Sequence, residues 1–356
     1  MAGRRHHHIQ QHLSRGFGID RTRRPVQVWA YRRDAKPFTV ATEKYGIEKD
    51  FYGEPADTTV DDAITLAENE EIDPLIDYLR LAPDGTTADP ILTARFVQHL
   101  IFRSKYFRSV FSDALTQMMQ TAVKQMLQPD KLRPFLREMI CRHVEQLVDK
   151  GEVAHGQSLT TEQRNLATFF VRTQGPALAD EFLHTQWPTI ECAFETIVRL
   201  VPQLVAAGHQ NALRKHLGDM SGPREDQLRR LHWTIHLSQI PLVLGDTCAF
   251  SELADRTFAP LPDKGTAISR VFVPIATDRF LMGSEHLEPP APIQVIRGAV
   301  RCSFDSFCAT SDSAEFRRFQ SEIGISSMPL PPSELQRIGL TSLDEVMSRI
   351  LSEGFK

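Results

Sequence analysis

Long apolar runs are missing from this chain of 356 residues. No stretch approaches the ~20 consecutive apolar residues that a bilayer-crossing helix needs, and the best one, TIVRLVPQLVAA, is interrupted by Arg199 and Pro202. A membrane role is thereby disfavoured. The opening MAGRRHHHIQQHL lacks the apolar core of a secretory signal, so the expected compartment is cytoplasmic. Cysteine is sparse: Cys141, Cys192, Cys248, Cys302 and Cys308 are scattered and form no Cys-x-x-Cys pair. That excludes a zinc ribbon and a disulfide framework, and it fits reduced thiols. Net charge is small too, −4, which leaves no wholesale polyanion-binding surface. A Walker GxxxxGK[ST] loop, a GxGxxG turn and a GxSxG elbow are also absent. P-loop hydrolysis, Rossmann redox chemistry and standard α/β-hydrolase catalysis are therefore disfavoured.

What is present is ordinary globular material, 41% hydrophobic and 24% charged, enough for one large domain or two coupled ones. The charge is unevenly spread. Arg4, Arg5, Arg15, Arg21, Arg23, Arg24, Arg32 and Arg33 crowd the start, and the stretch from Asp50 to Asp89 runs acidic. A basic start can meet nucleic acid or pair with the acidic stretch behind it, and pairing is the simpler reading. The three adjacent histidines are fewer than a purification tag carries and are read as native.

Alternation in PVQVWAYRRDAKPFTVATEKYGIEKDFYG predicts short strands, with Pro37 and Gly46 at turns. After Asp57 the period becomes helical: Thr59 with Asp62 marks a start, Asp73-Pro74 divides the stretch, and Asp89-Pro90 is an N-cap and first-turn pair. One helix is expected from there to Pro129. More are expected at about 130–150, 161–173, 176–206 and 223–232, with a capping box at Thr160 and Gln163 and with Pro188 kinking or dividing the third. Strand character returns in WTIHLS, IPLVLGD, RVFVPI, RFLMGS and PIQVIRG. A helix then follows from near Val300 through FRRFQSEI, and amphipathic SLDEVMSRILSEGF closes the chain. The expected fold class is α+β, a helical middle over about 58–232 with N- and C-terminal strands sharing one small sheet. The expected layout is a basic, histidine-rich arm over 1–24, a single domain over 25–322 and a helical extension over 323–356.

The opening RRHHHIQQHLSRGF is similar to the HH-Y-V-P-Q-x-Y-L-R-x-F signature of the domain-of-unknown-function family four-two-three-eight. VQVWAYRR, EKDFYG, LAENEEIDPLIDYL and FVQHLIFRSKYFR follow in that family's order. Further on, LHWTIHLSQIPLVLGDTCAF resembles its tryptophan segment and the Ser-Asp-Asn-Pro-like turn behind it. The resemblance covers most of residues 5–250. It departs in two places. The motif's proline is replaced by Ile9 or Gln10, depending on register, and the turn is Gly245-Asp246-Thr247-Cys248, which keeps only the aspartate. The resemblance implies a map of positions rather than an activity, because the family carries no agreed one.

The candidate chemistry starts with His6, His7 and His8, since imidazole can act as acid and base near neutrality. Beside Arg4, Arg5 and Arg15 such a cluster could handle a phosphodiester; the plainer alternative is a solvated start in which one histidine packs. Arg15, Arg103 and the Tyr52 hydroxyl are candidate substrate-binding groups. Arg103, Lys105 and Arg108 are more simply read as a helix rim paired with Glu70, Glu71 or Asp73. Asp246, at the end of an apolar strand, is a candidate catalytic carboxylate that orients a histidine or holds a metal, and is equally a turn residue. A divalent metal is a weaker option: His8/His12 and His232/His236 have i, i+4 spacing but no HExxH glutamate, so Glu70 or Asp246 would have to complete a site. Two functions follow. One is a phosphodiester-directed hydrolase, of which an RNA-directed nuclease is one form. The other is a non-enzymatic module whose helical middle binds a protein partner.

Overall fold

The computed structural model describes residues 5–49, 59–126, 128–155, 158–218, 223–260, 266–285 and 288–327. Its contacts divide the chain into two compact units, Met1–Phe111 with Ala206–Pro329, and Ser112–Val205 with Leu330–Lys356. A single domain was expected from the sequence. Helix makes up 54% and strand 18%, so the class is α+β. No helix among the described residues is long and apolar enough to cross a membrane.

The chain opens with strand β1 (Arg5–His7) and helix α1 (Gln11–Arg15), followed by β2 (Gln27–Arg32), β3 (Phe38–Ala41) and β4 (Ile47–Lys49). The start is not a separate arm: Ile9, Leu13 and Phe17 are fully buried in the first unit's core. Three apolar residues in a polar stretch sufficed to anchor it. Helix α2 (Thr59–Ala67) runs into a π-helical turn (Glu68–Ile72) and then α3 (Asp73–Leu81). Next come α4 (Pro90–Arg103) and α5 (Lys105–Met126). Asp89 caps α4 as expected, accepting from the Ile91 and Leu92 N–H groups. The single long helix expected here is broken at Ser104, whose hydroxyl donates to the Ile101 carbonyl and accepts from the Phe107 N–H. One side chain thus closes one helix and caps the next.

In the second unit, α6 (Pro129–Arg142), α7 (Val144–His155) and α8 (Thr161–Gly218, which continues beyond the unit) follow. The Thr160–Gln163 capping box forms in both directions, at 2.9 and 3.3 Å. Pro188 was expected to kink or divide the helix; it does not divide it, since α8 is one element with Pro176, Pro188 and Pro202 inside it. Leu132, Phe135 and Leu183 form a small apolar cluster, backed by Leu136 and Trp187. Arg137 pairs with Asp180, and Arg164 with Asp149 and Glu152.

The first unit is completed by α9 (Pro223–Arg229), β5 (His232–Leu237), β6 (Leu244–Gly245), β7 (Phe250–Leu253), β8 (Phe258–Ala259), β9 (Ile268–Ala276), β10 (Arg279–Ser284), α10 (Pro292–Cys302), β11 (Ser306–Ala309) and α11 (Ala314–Phe319). PIQVIRG is the start of α10 and not the expected strand. Pro292 sits in its first turn, and Val295, Ile296, Ala299, Val300 and Cys302 are buried at helical spacing. The helix expected from Val300 onward is interrupted by β11. The closing amphipathic segment lies outside the described residues.

Three sheets result: β1-β4, β5-β10-β9-β7-β8 and β3-β2-β11-β6. The last unites strands from both ends of the chain, because Tyr31 pairs with Phe307 and their rings stack at 4.6 Å. A continuous core that includes Trp233, Phe250, Phe272 and Phe280 underlies these sheets. The Trp233 indole N–H donates to the Leu228 carbonyl at 2.9 Å, so its polar edge is satisfied in the interior.

Candidate functional site

A cleft of about 640 Å3 opens in the first unit, with His8, Asp246, Arg32, Lys44, Lys105 and Phe38 among its lining residues. His8 follows the last residue of β1, and its backbone N–H donates to the Gly46 carbonyl at 2.8 Å. Gly46 has φ +67, and a Cβ there would lie 2.5 Å from the Ile9 side chain. Only glycine lets the two segments come this close. Burial pushes the His8 imidazole down to about 3, helped by the Lys105 and Arg103 cations. At neutral pH it is uncharged.

Asp246 reaches the same cleft from β6. Gly245 lets β6 press on the end of α10, since a Cβ there would meet the Ser303 Oγ at 2.5 Å and the Ala299 carbonyl at 2.6 Å. The Asp246 carboxylate accepts three successive backbone N–H groups, from Phe304 (2.6 Å), Asp305 (2.7 Å) and Ser306 (2.9 Å). Burial pushes its carboxyl up to about 6, against those donors, which favour the ionised form. Asp246 is therefore a turn anchor that also lines the cleft. The turn it holds presents Phe304 and Asp305 to the cleft. Asp305 pairs with Lys105, whose Nζ lies 5.8 Å from the Phe304 ring centroid.

Arg103 is not available to grip a substrate as expected. It is 3% exposed, and its guanidinium is bonded to the Glu68 carboxylate, to His99 Nε2 at 3.0 Å and to the His7 carbonyl. Burial works to raise the Glu68 carboxyl and is the largest single influence, but the Arg103 charge and the interactions with His99 together outweigh it and hold the group at about 2. Burial lowers His99 to about 4, leaving a neutral ring beside the ion pair. The trio hooks β1 onto α4, so Arg103 positions the histidine segment from behind. Charge pairing of the helix rim holds, with Glu68, Asp305 and Glu48 as partners of Arg103, Lys105 and Arg108, in place of Glu70, Glu71 or Asp73.

The other sequence candidates scatter. His6 faces Glu48 across the β1-β4 pair, and neither His6 nor His7 lines the cleft. Burial, reinforced by Arg103, lowers the His7 imidazole. Arg15 ends α1 away from the cleft lining. Glu70 is exposed, and Tyr52 lies outside the described residues. Among the described residues no three His, Cys, Asp or Glu groups converge as metal ligands. His12 is bonded to Asp77 at 2.7 Å and His236 to Thr234 at 2.8 Å. As site residues, sequence reasoning missed Arg32 and Arg33 at the end of β2 and Lys44 in the turn before β4, all of which line the cleft. Their only signal was position: the end of VQVWAYRR and the turn ahead of Gly46.

No family model matches this chain, and no curated protein or solved structure matches it either.

Proposed function

We propose that the cleft serves a phosphodiester-directed hydrolase, with RNA as the substrate class. The observation that carries this reading is the convergence of His8, Arg32, Lys44 and Asp246 on one concavity from separate parts of the chain. Neither Arg32 nor Lys44 has a carboxylate partner among the described residues, so both are open to a phosphate. A neutral His8 takes the proton from the attacking hydroxyl as its oxygen bonds to phosphorus. The P–O bond to the leaving group then breaks, and that oxygen is protonated in turn. A bound phosphate brings negative charge beside the imidazole and raises its pKa, which suits it to both steps.

The test is turnover of varied RNA and DNA by the purified full chain, with and without divalent ions. RNA cleavage is expected, falling on the order of 100-fold or more in His8→Gln, while Lys44→Ala acts mainly on KM. Intact substrates under every condition would sink the proposal.

A second reading, a non-enzymatic protein-binding module, draws on the exposed Leu166, Phe169 and Phe170 of α8. It expects His6–His8→Ala to alter folding or partner capture while removing no turnover. Normal stability with lost turnover rejects it.

A further inference from the structure

We infer that the cleft takes a nucleotide in preference to a bare or sugar phosphate, with Phe38 and Arg32 forming the seat of the base. The inference rests on the phosphate-binding reading above and names the ligand class. Phe38 lies on β3, the edge strand of its sheet, and 37% of it is open to water. An exposed aromatic ring on an edge strand is by itself unremarkable. This one lines the wall of a concave site that also holds Arg32, Arg33 and Lys44, none of them with a carboxylate partner among the described residues. The Arg32 guanidinium lies over the Phe38 ring, 5.4 Å from its centroid. Together they present a flat, positively charged π-surface, the combination on which a nucleobase stacks whatever its sequence.

The wall's remaining chemistry agrees. Lys44 is in reach of the same space for the phosphate. Asp34, an exposed carboxylate with no cation partner among the described residues, lines it as well and can accept the N–H edge of a base. An inorganic or sugar phosphate would engage the cations and leave the ring in water. A nucleotide covers the ring and satisfies the cations together.

The experiment is calorimetric titration of the full chain with adenosine 5′-monophosphate, ribose 5-phosphate and inorganic phosphate. The nucleotide is expected to bind at least about tenfold more tightly than ribose 5-phosphate, which corresponds to ~1.4 kcal/mol. Phe38→Leu keeps apolar bulk on β3 and is expected to bring that ratio to about one with ribose 5-phosphate affinity unchanged. Phe38→Tyr is expected to preserve it. Arg32→Gln, which leaves β3 untouched, is expected to shrink it independently, so a misfolded Phe38 variant does not end the test. Equal affinity for nucleotide and sugar phosphate in the wild type overturns this inference and leaves the phosphate reading standing. A preference unchanged in folded Phe38→Leu overturns the assigned seat. Failure of every phosphate ester to bind overturns both proposals.

Discussion

Arg103 and Glu68 form an ion pair with little access to water, the guanidinium almost wholly enclosed. Removing one partner of such a pair strands the other charge in a poor solvent, at a cost of about 3–5 kcal/mol. Glu68→Gln is expected to lower the urea midpoint correspondingly, and a paired apolar replacement, Glu68→Leu with Arg103→Met, to recover most of the loss. If Glu68→Gln alone is neutral, the pair is not buried as described. Acid dependence follows from the same residues. His8 and His99 have folded-state pKa values of about 3 and 4, below the ordinary 6.5. Between those values the unfolded chain binds protons that the folded one refuses, so stability is full above 6.5 and declines as pH falls through that window. Glu68, depressed to about 2 from 4.5, adds to the decline at lower pH. Asp246 acts in the opposite sense: raised from 3.8 to about 6, it costs stability as pH climbs through that range. The urea midpoint of His99→Gln is therefore expected to fall less between pH 7.5 and 5 than that of the wild type; an equal fall removes His99 from the account. The sequence singled out Arg103 and the acidic stretch but offered Glu70, Glu71 or Asp73 as the partner. Glutamates two positions apart look alike on paper, and only the turn they sit on decides which one faces inward.

That turn belongs to the element scale. The π-helical stretch Glu68–Ile72 interrupts the regular α spacing between α2 and α3, so a strict 3.6-residue count runs out of phase across it. Capping was far more legible. Asp89-Pro90 and the Thr160–Gln163 box were readable because their chemistry lies within four residues. Ser104 lies within FVQHLIFRSKYFR but was not readable as a break, since an apolar face continues through it. Ser104→Ala is expected to cost about 1 kcal/mol, measured by chemical denaturation; no loss would mean that the hydroxyl is dispensable at this junction. PIQVIRG misled for a related reason: a short run rich in β-branched residues fits either period, and burial on the face of α10 settled it. Short β11 was hidden in SFCA, whose four residues are all buried and show no alternation.

For the whole molecule, the order of alternating and helically periodic segments was enough to give the α+β class and the shared sheet of early and late strands. The division into two units was not legible, because helical periodicity runs unbroken through the boundaries after Phe111 and Val205. On the described part of α8, Leu166, Phe169 and Phe170 are 69%, 65% and 53% exposed. Phe169→Asp is expected to leave stability within about 0.5 kcal/mol and to lower binding of an apolar dye. A large loss of stability would place the ring in a packed environment instead.

The sheet that joins β2 to β11 also sets a timetable for the nascent chain. At about 5–20 residues per second, a ribosome takes on the order of tens of seconds to travel from Arg32 to Ser306. Throughout that interval the Gln27–Arg32 edge has no neighbour on its inner side and Tyr31 has no ring to stack upon. Such a delay leaves an unpaired strand open to intermolecular association. Slowing translation, or stopping it short of the last strands, should therefore shift newly made protein toward aggregates or chaperone-bound forms.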